Sequence, residues 1–195
     1  MANRVCVHES DIPKEIHPDR WSKDLLGGPQ VPTVGGFSMG VAEYHATEFG
    51  ELQVHADQEE VYVVSGVGQI RIGEQVLDVK PGSTFRLAPG TKHATRRTGP
   101  APVRVVYSHA RAVEPPSLKS EMSVSTHDKA EFLPPKVHDD SEGLFVVSGA
   151  GQIQVGSEIL DVKPGHAVYV APGVPHATRR TGKDPIRTLY AHGAV

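Results

Sequence analysis

Two sets of metal-competent side chains stand at matching spacing in this sequence. The first is Gln53, His55 and Glu59, followed by His93; the second is Lys136, His138 and Glu142, followed by His176. Two imidazoles and one carboxylate form the donor set of a 2-His-1-carboxylate site, suited to a divalent transition metal such as Fe, Mn, Zn, Ni or Co. Neutral imidazole and ionised carboxylate both exist near neutral pH, so such a site forms with little proton release. Gln53 adds an amide oxygen as a fourth ligand to the first set. Lys136, at the matching position of the second, brings a cation instead. The sequence therefore predicts a strong first metal site and a weaker second one that holds metal through three residues or takes an anion through Lys136.

The elements that must position these groups follow from an internal repeat. A shift of 83 positions aligns Val54–His109 with Val137–His192 without a gap, and 32 of the 56 positions are identical. Such a match marks a tandem duplication, and each copy reads as one structural unit. Within the first copy, short runs rich in strand formers (Val61–Ser65, Gln69–Ile72, Val76–Val79, Thr84–Leu87) alternate with Gly and Pro-Gly turns. The second copy repeats them at Leu144–Val147, Ile153–Val155, Ile159–Val162 and Ala167–Val170. Strands this short read as an all-β sandwich or barrel. Each copy is too short to close a barrel alone, so further strands are expected at Phe37–His45 and Phe49–Val54, and at Ser120–Thr126 and Phe132–Val137. Residues 1–36 read as an arm, with a helical turn at Asp19–Leu25, that covers an edge strand or part of the other barrel. The expected layout is arm 1–36, first barrel 37–112, linker 113–119 and second barrel 120–195.

These residues carry a family resemblance. Gln53-x-His55-x3-Glu59-x6-Gly66, followed by Gly82-x6-Pro89-Gly90-x2-His93, resembles the two motifs of the cupin superfamily, and the second half repeats both. The chain thus looks like a bicupin: two tandem cupin, jelly-roll-like β-barrels with an N-terminal arm. The strands at Val61–Gly66 and Phe37–His45 are also similar to those of small metal-dependent cupins of the polyketide-cyclase type. The resemblance implies a metal held by His55, Glu59 and His93, and by His138, Glu142 and His176. The family's first motif usually opens with histidine, where this chain has Gln53 and Lys136. Glu59 is preferred over its neighbour Glu60, because Glu142 matches the former and Gly143 the latter.

Other repeated groups allow two readings each. His109 and His192 lie in Tyr-x-His at strand ends and serve either as a barrel-mouth acid or base or as strand termini. Arg97 and Arg180, each beside a second arginine, either face inward to hold a substrate anion or lie on a solvated edge. Asp57 and Asp140 fall in tight turns and fit turn chemistry.

Composition bounds the function. With 20 basic and 23 acidic side chains, net charge −3, the chain is not a generally cationic nucleic-acid binder. Cys6 is the single cysteine, which removes intramolecular disulfides and thiolate clusters. No run resembles a signal peptide or a membrane span, so a cytoplasmic protein is expected, with a small-molecule ligand and a possible homodimer as partners. Two functions fit. One is a metal-dependent enzyme acting on an organic acid, a polyketide-like molecule or a sugar derivative, as dioxygenase, isomerase, cyclase or decarboxylase. The other is a non-catalytic binding cupin whose metal is structural or absent.

Overall fold

The structure, a computed structural model, describes residues 4–111 and 122–194. The expected linker at 113–119 lies outside the described residues. Apart from one 3-10 turn at Glu9–Asp11, the regular elements are strands. In the arm these are β1 (Cys6–His8), β2 (Glu15–Ile16) and β3 (Arg20–Leu26). The first half adds β4 (Ser38–Tyr44), β5 (Gln58–Ser65), β6 (Gly68–Ile72), β7 (Gln75–Val79), β8 (Thr84–Leu87), β9 (His93–Arg97) and β10 (Val103–Ala110). The second half adds β11 (Ser123–His127), β12 (Ser141–Ser148), β13 (Gly151–Val155), β14 (Glu158–Val162), β15 (His166–Val170), β16 (His176–Arg180) and β17 (Ile186–Gly193).

Each half folds as two sheets. The first carries β2-β3-β4-β10-β5-β8 opposite β7-β6-β9, and the second carries β1-β15-β12-β17-β11 opposite β14-β13-β16. Every named pairing is antiparallel. Alternation along these strands sends one set of side chains inward. Val61, Val63, Ile70, Leu87, Val103 and Val105 fill the first interior, and Leu144, Val146, Ile153, Val155, Val168 and Ile186 fill the second.

The arm serves both halves. β1 pairs with β15 on the second barrel, whereas β3 pairs with β4 on the first. The helical turn expected at Asp19–Leu25 is therefore replaced by strand β3. The open edge of β4 offers it a full hydrogen-bonding ladder, and Leu25 and Leu26 become buried. A third core lies between the barrels, where Leu25, Leu26, Phe37, Met39 and Val106 meet Phe145, Tyr169 and Leu189. Phe37 stacks on Tyr169 at 6.4 Å, and a side chain at Gly143 or Gly193 would collide with its ring.

The strands expected at Phe49–Val54 and Phe132–Val137 do not form. Only Gln53 and Lys136 make isolated bridges there, to His93 and His176. These stretches instead run as loops tied to the barrel at chosen points. No helix among the described residues is long and apolar enough to cross a membrane.

Candidate metal centres

Each candidate ligand set is assembled by one loop and two strands. In the first half the loop residue Gln53 exchanges backbone hydrogen bonds with His93 at 2.8 and 3.1 Å. The carbonyl of His55 accepts from Gly90 N–H at 2.8 Å. That bond needs Gly90 at φ 75°, a left-handed conformation open to glycine at little cost. The Pro-Gly turn thereby pins His55 while it launches β9 and His93. The second half repeats the device, with Gly173 on the carbonyl of His138.

In the first barrel Glu59 Oε2 lies 3.5 Å from His55 Nε2 and 3.0 Å from His93 Nε2. Glu59 and His93 are 7 % and 3 % exposed. Glu59 Oε2 and His93 Nε2 are both buried without an aligned hydrogen bond, despite their 3.0 Å separation. Buried polar atoms rarely stay so. Two buried donor atoms held 3.0 Å apart without an aligned hydrogen bond fit a divalent cation between them. Glu60, on the opposite face of β5, binds Arg86 at 2.9 Å, so Glu59 is the carboxylate that faces the histidines.

The second barrel brings His138, Glu142 and His176 together in the same way. Glu142 Oε2 is 3.2 Å from His138 Nε2 and 3.0 Å from His176 Nε2. Here the cluster is closed on itself: His138 hydrogen-bonds Glu142, and its Nδ1 lies 2.6 Å from Asp140 Oδ1. Electrostatics follow the geometry. Burial lowers the His55 imidazole below its ordinary value against the pull of Glu59. At His93 burial acts the same way, but the adjacent Glu59 carboxylate outweighs it and the imidazole is raised. His138 is raised by its bond to Glu142. Burial opposes ionisation of Glu142, yet His138 and His176 bring it down to about 2.

A third imidazole joins each set. His109 offers a ring nitrogen within 4.8 Å of donor atoms on His55 and Glu59, and its ring is 4.6 Å from that of His55. His192 lies 4.8 Å ring-to-ring from His138, with Nε2 3.7 Å from Glu142 Oε1. Asp57 and Asp140, expected to serve their turns, reach these histidines: Asp57 Oδ1 is 3.0 Å from His109 Nδ1, and Asp140 Oδ1 is 3.3 Å from His192 Nδ1. The signal for both was the shared 83-residue register.

Other candidates lie elsewhere. Gln53 turns its amide nitrogen to the Tyr44 hydroxyl at 3.3 Å. Lys136 is exposed, where its ammonium stays in water. Arg97 does not face inward: it donates to the carbonyls of His45 at 2.7 Å and Gly99 at 2.8 Å. Arg180 does the same with Asp128 and Gly182. Both sit at the end of their strand, where loop carbonyls are the nearest acceptors, so these arginines stitch the barrel end.

A chamber of about 550 Å³ opens beside the first set, with His55, Glu59, His109, Tyr44 and Gln53 on its walls. The arm supplies part of the lining, including His17, Arg20 and Asp24. Among the described residues Arg20 is the one arginine or lysine that lines it, and it is anchored by Asp19 at 3.0 Å. Burial pushes the Tyr44 phenol up to about 12, so it stays a neutral hydroxyl.

Fold and site together define a double-barrelled protein with a histidine-carboxylate cluster in each barrel. The cupin domain family matches residues 40–109 and 124–192, and the chain belongs to that family. No curated protein matches it in sequence. Among solved structures it is similar to the Lactobacillus farciminis oxalate decarboxylase formate complex (TM-score 0.81, 9% identity, 100% of this chain and 88% of that one). It is also similar to AerE from Microcystis aeruginosa (TM-score 0.76, 12% identity, 93% and 97% covered). A third similar structure is the protein Ylba from E. coli (TM-score 0.77, 14% identity, 98% and 94% covered). At these identities the likeness is one of fold.

Proposed function

We propose that this cupin is a metal-dependent enzyme that acts on a small organic acid in the chamber of the first barrel. The observation that carries the reading is the pair of buried, unbonded donor atoms on Glu59 and His93, set beside His55 at the wall of that chamber. His55, Glu59 and His93 hold the metal, with His138, Glu142 and His176 as the second set. A bound divalent metal of the Fe, Mn, Zn, Ni or Co type supplies Lewis-acid chemistry, or dioxygen chemistry where it is Fe(II).

The chain's own residues do the rest. Arg20, held by Asp19, presents a guanidinium to a substrate carboxylate, a role that the sequence left open for Arg97. Neutral Tyr44 and the Gln53 amide supply hydrogen bonds that orient the polar end of the substrate. The likeness in fold to an oxalate decarboxylase supports a carboxylic acid as substrate class, and fold alone does not choose the reaction. The non-catalytic alternative is favoured for the second barrel by one observation, the closure of its cluster through His138, Glu142 and Asp140.

Elemental analysis of protein purified without added metal is the first test; a near-stoichiometric divalent metal is expected. Calorimetric titration with small mono- and dicarboxylates comes next. Arg20→Met should weaken their binding about tenfold, the loss of one charge-assisted hydrogen bond of roughly 1.5 kcal/mol, while the metal content stays unchanged. Absence of metal, with carboxylate binding retained, overturns the enzyme reading in favour of a binding module.

A further inference from the structure

We infer that a histidine of the last strand, His109 in the first barrel and His192 in the second, fills the fourth metal position in place of the histidine that usually opens the family's first motif, and that Asp57 and Asp140 orient it. The inference rests on the metal-binding reading above and goes beyond it, because it names a ligand from outside the two motifs.

Both barrels lack a histidine at the position that opens the family's first motif. Gln53 is turned towards Tyr44, donating through its amide nitrogen, and Lys136 is exposed and cationic. Neither supplies an imidazole. In both barrels a compensating imidazole arrives on a different strand. The register of β10 against β5 sets His109 directly opposite Glu59, and the register of β17 against β12 sets His192 opposite Glu142. Residues paired across two antiparallel strands carry side chains on the same face. The last strand therefore delivers its imidazole to the same side as the carboxylate. In each case the ring comes to rest edge-on to the motif-one histidine, at 4.6 Å from His55 and 4.8 Å from His138.

The aspartates complete the assignment. Each accepts from Nδ1 of its histidine, at 3.0 Å in the first barrel and 3.3 Å in the second. An imidazole whose Nδ1–H is held by a carboxylate keeps its Nε2 lone pair free and turned the other way, the arrangement found at ligating histidines. In the second barrel that nitrogen lies 3.7 Å from Glu142 Oε1, on the ligand side. A solvent-facing ion pair at a strand end would need no such arrangement. Asp57 and Asp140 are thus positioning residues, and the donor set of each barrel is three imidazoles and one carboxylate.

The test isolates the first barrel in full-length His176→Ala protein and reads Co(II) affinity and visible spectrum, with melting in EDTA to show that each variant is folded. His109→Ala and the bulkier His109→Gln should each weaken Co(II) by roughly 100-fold and alter its bands. Asp57→Ala should cost about 10- to 100-fold, Asp57→Asn, which keeps an acceptor for Nδ1–H, should recover most of that, and Gln53→Ala should stay within about threefold. Unchanged Co(II) affinity and spectrum in His109→Gln, together with metal loss in Gln53→Ala, overturn this inference and leave the metalloprotein reading standing. A parent protein that binds no Co(II) overturns both.

Discussion

The two barrels descend from one repeat and carry the same histidine and glutamate spacing, yet they differ on the wall beside it. In the first barrel Tyr44 and Gln53 bond each other at 3.3 Å. The positions 83 residues on hold His127 and Lys136, where His127 bonds Thr188 instead and is lowered by burial and by the charge of Lys136. Asp57 pairs with His109, while Asp140 is buried and reaches both His138 and His192. The arm adds β2 and β3 beside β4 and so walls the chamber of the first barrel; it adds β1 to the second at the opposite edge, beside β15. Equal ligand spacing thus leads to unequal sites. One cluster keeps buried donors without hydrogen bonds next to a chamber, and the other satisfies itself internally.

The largest expected effect probes how far the barrels are one unit. Phe37 belongs to the first half but fills the space left by Gly143 and Gly193 of the second. Phe37→Ala should cost about 3–5 kcal/mol. Denaturant unfolding should stay a single transition; two separated transitions would show that the halves are energetically independent.

Removal of one ligand from each barrel separates the sites. His93→Ala and His176→Ala should each lower metal affinity in its own barrel by more than ~100-fold, beyond the range typical of outer partners, and leave the other barrel loaded. Metal-to-protein ratios after dialysis read this directly, and loss of all metal from both variants would mean a single shared site.

In metal-free protein the second cluster also responds to pH. Glu142 has its pKa drawn down to about 2 by His138 and His176, from an ordinary 4.5. A depressed carboxylate contributes stability that is fully present above about pH 4.5 and lost as pH falls through its folded pKa. Melting temperature in EDTA should therefore fall between about pH 4.5 and 2, and Glu142→Gln should flatten that slope. An unchanged slope would mean that the closed cluster adds nothing to stability.

The smallest effect concerns Lys136. Its charge argues from sequence for repulsion at the second site, but its exposure places the ammonium in water, where the interaction is screened. Lys136→Gln should change second-site affinity by less than about threefold, within the ~0–1 kcal/mol of an exposed charge interaction. A rise of tenfold or more in occupancy would restore the repulsion argument.

How much of this was legible in sequence differs from residue to residue. The strands from β5 to β8 follow the alternation and the turns, and so do their copies. The loops at Phe49–Val54 and Phe132–Val137 read as strands because their apolar residues mimic the pattern; single bridges hold them, with Leu52, Val54, Leu133 and Val137 left exposed. The stretch Asp19–Leu25 read as helical because nothing local reveals that β4 has a free edge to pair with. For Arg97 and Arg180 the alternation leaves an inward and an edge position open, and at the strand end loop carbonyls take both guanidiniums. Arg20 carried no signal, since only the crossing of the arm brings it to the chamber.

The sequence by itself determined the duplication, the all-β character, and the candidacy of His55, Glu59 and His93 with their copies. Each of these depends on local spacing: a gap-free repeat, a two-residue alternation, a Pro-Gly turn ahead of a strand. The tertiary structure alone decided which further groups join them. His109 lies 50 residues beyond Glu59 in the chain and meets it only through the register of β10 on β5. Arg20 meets the same chamber only because β3 extends that sheet. Register and edge pairing are set by the packing of whole sheets, where a slip of one residue would turn every side chain to the other face.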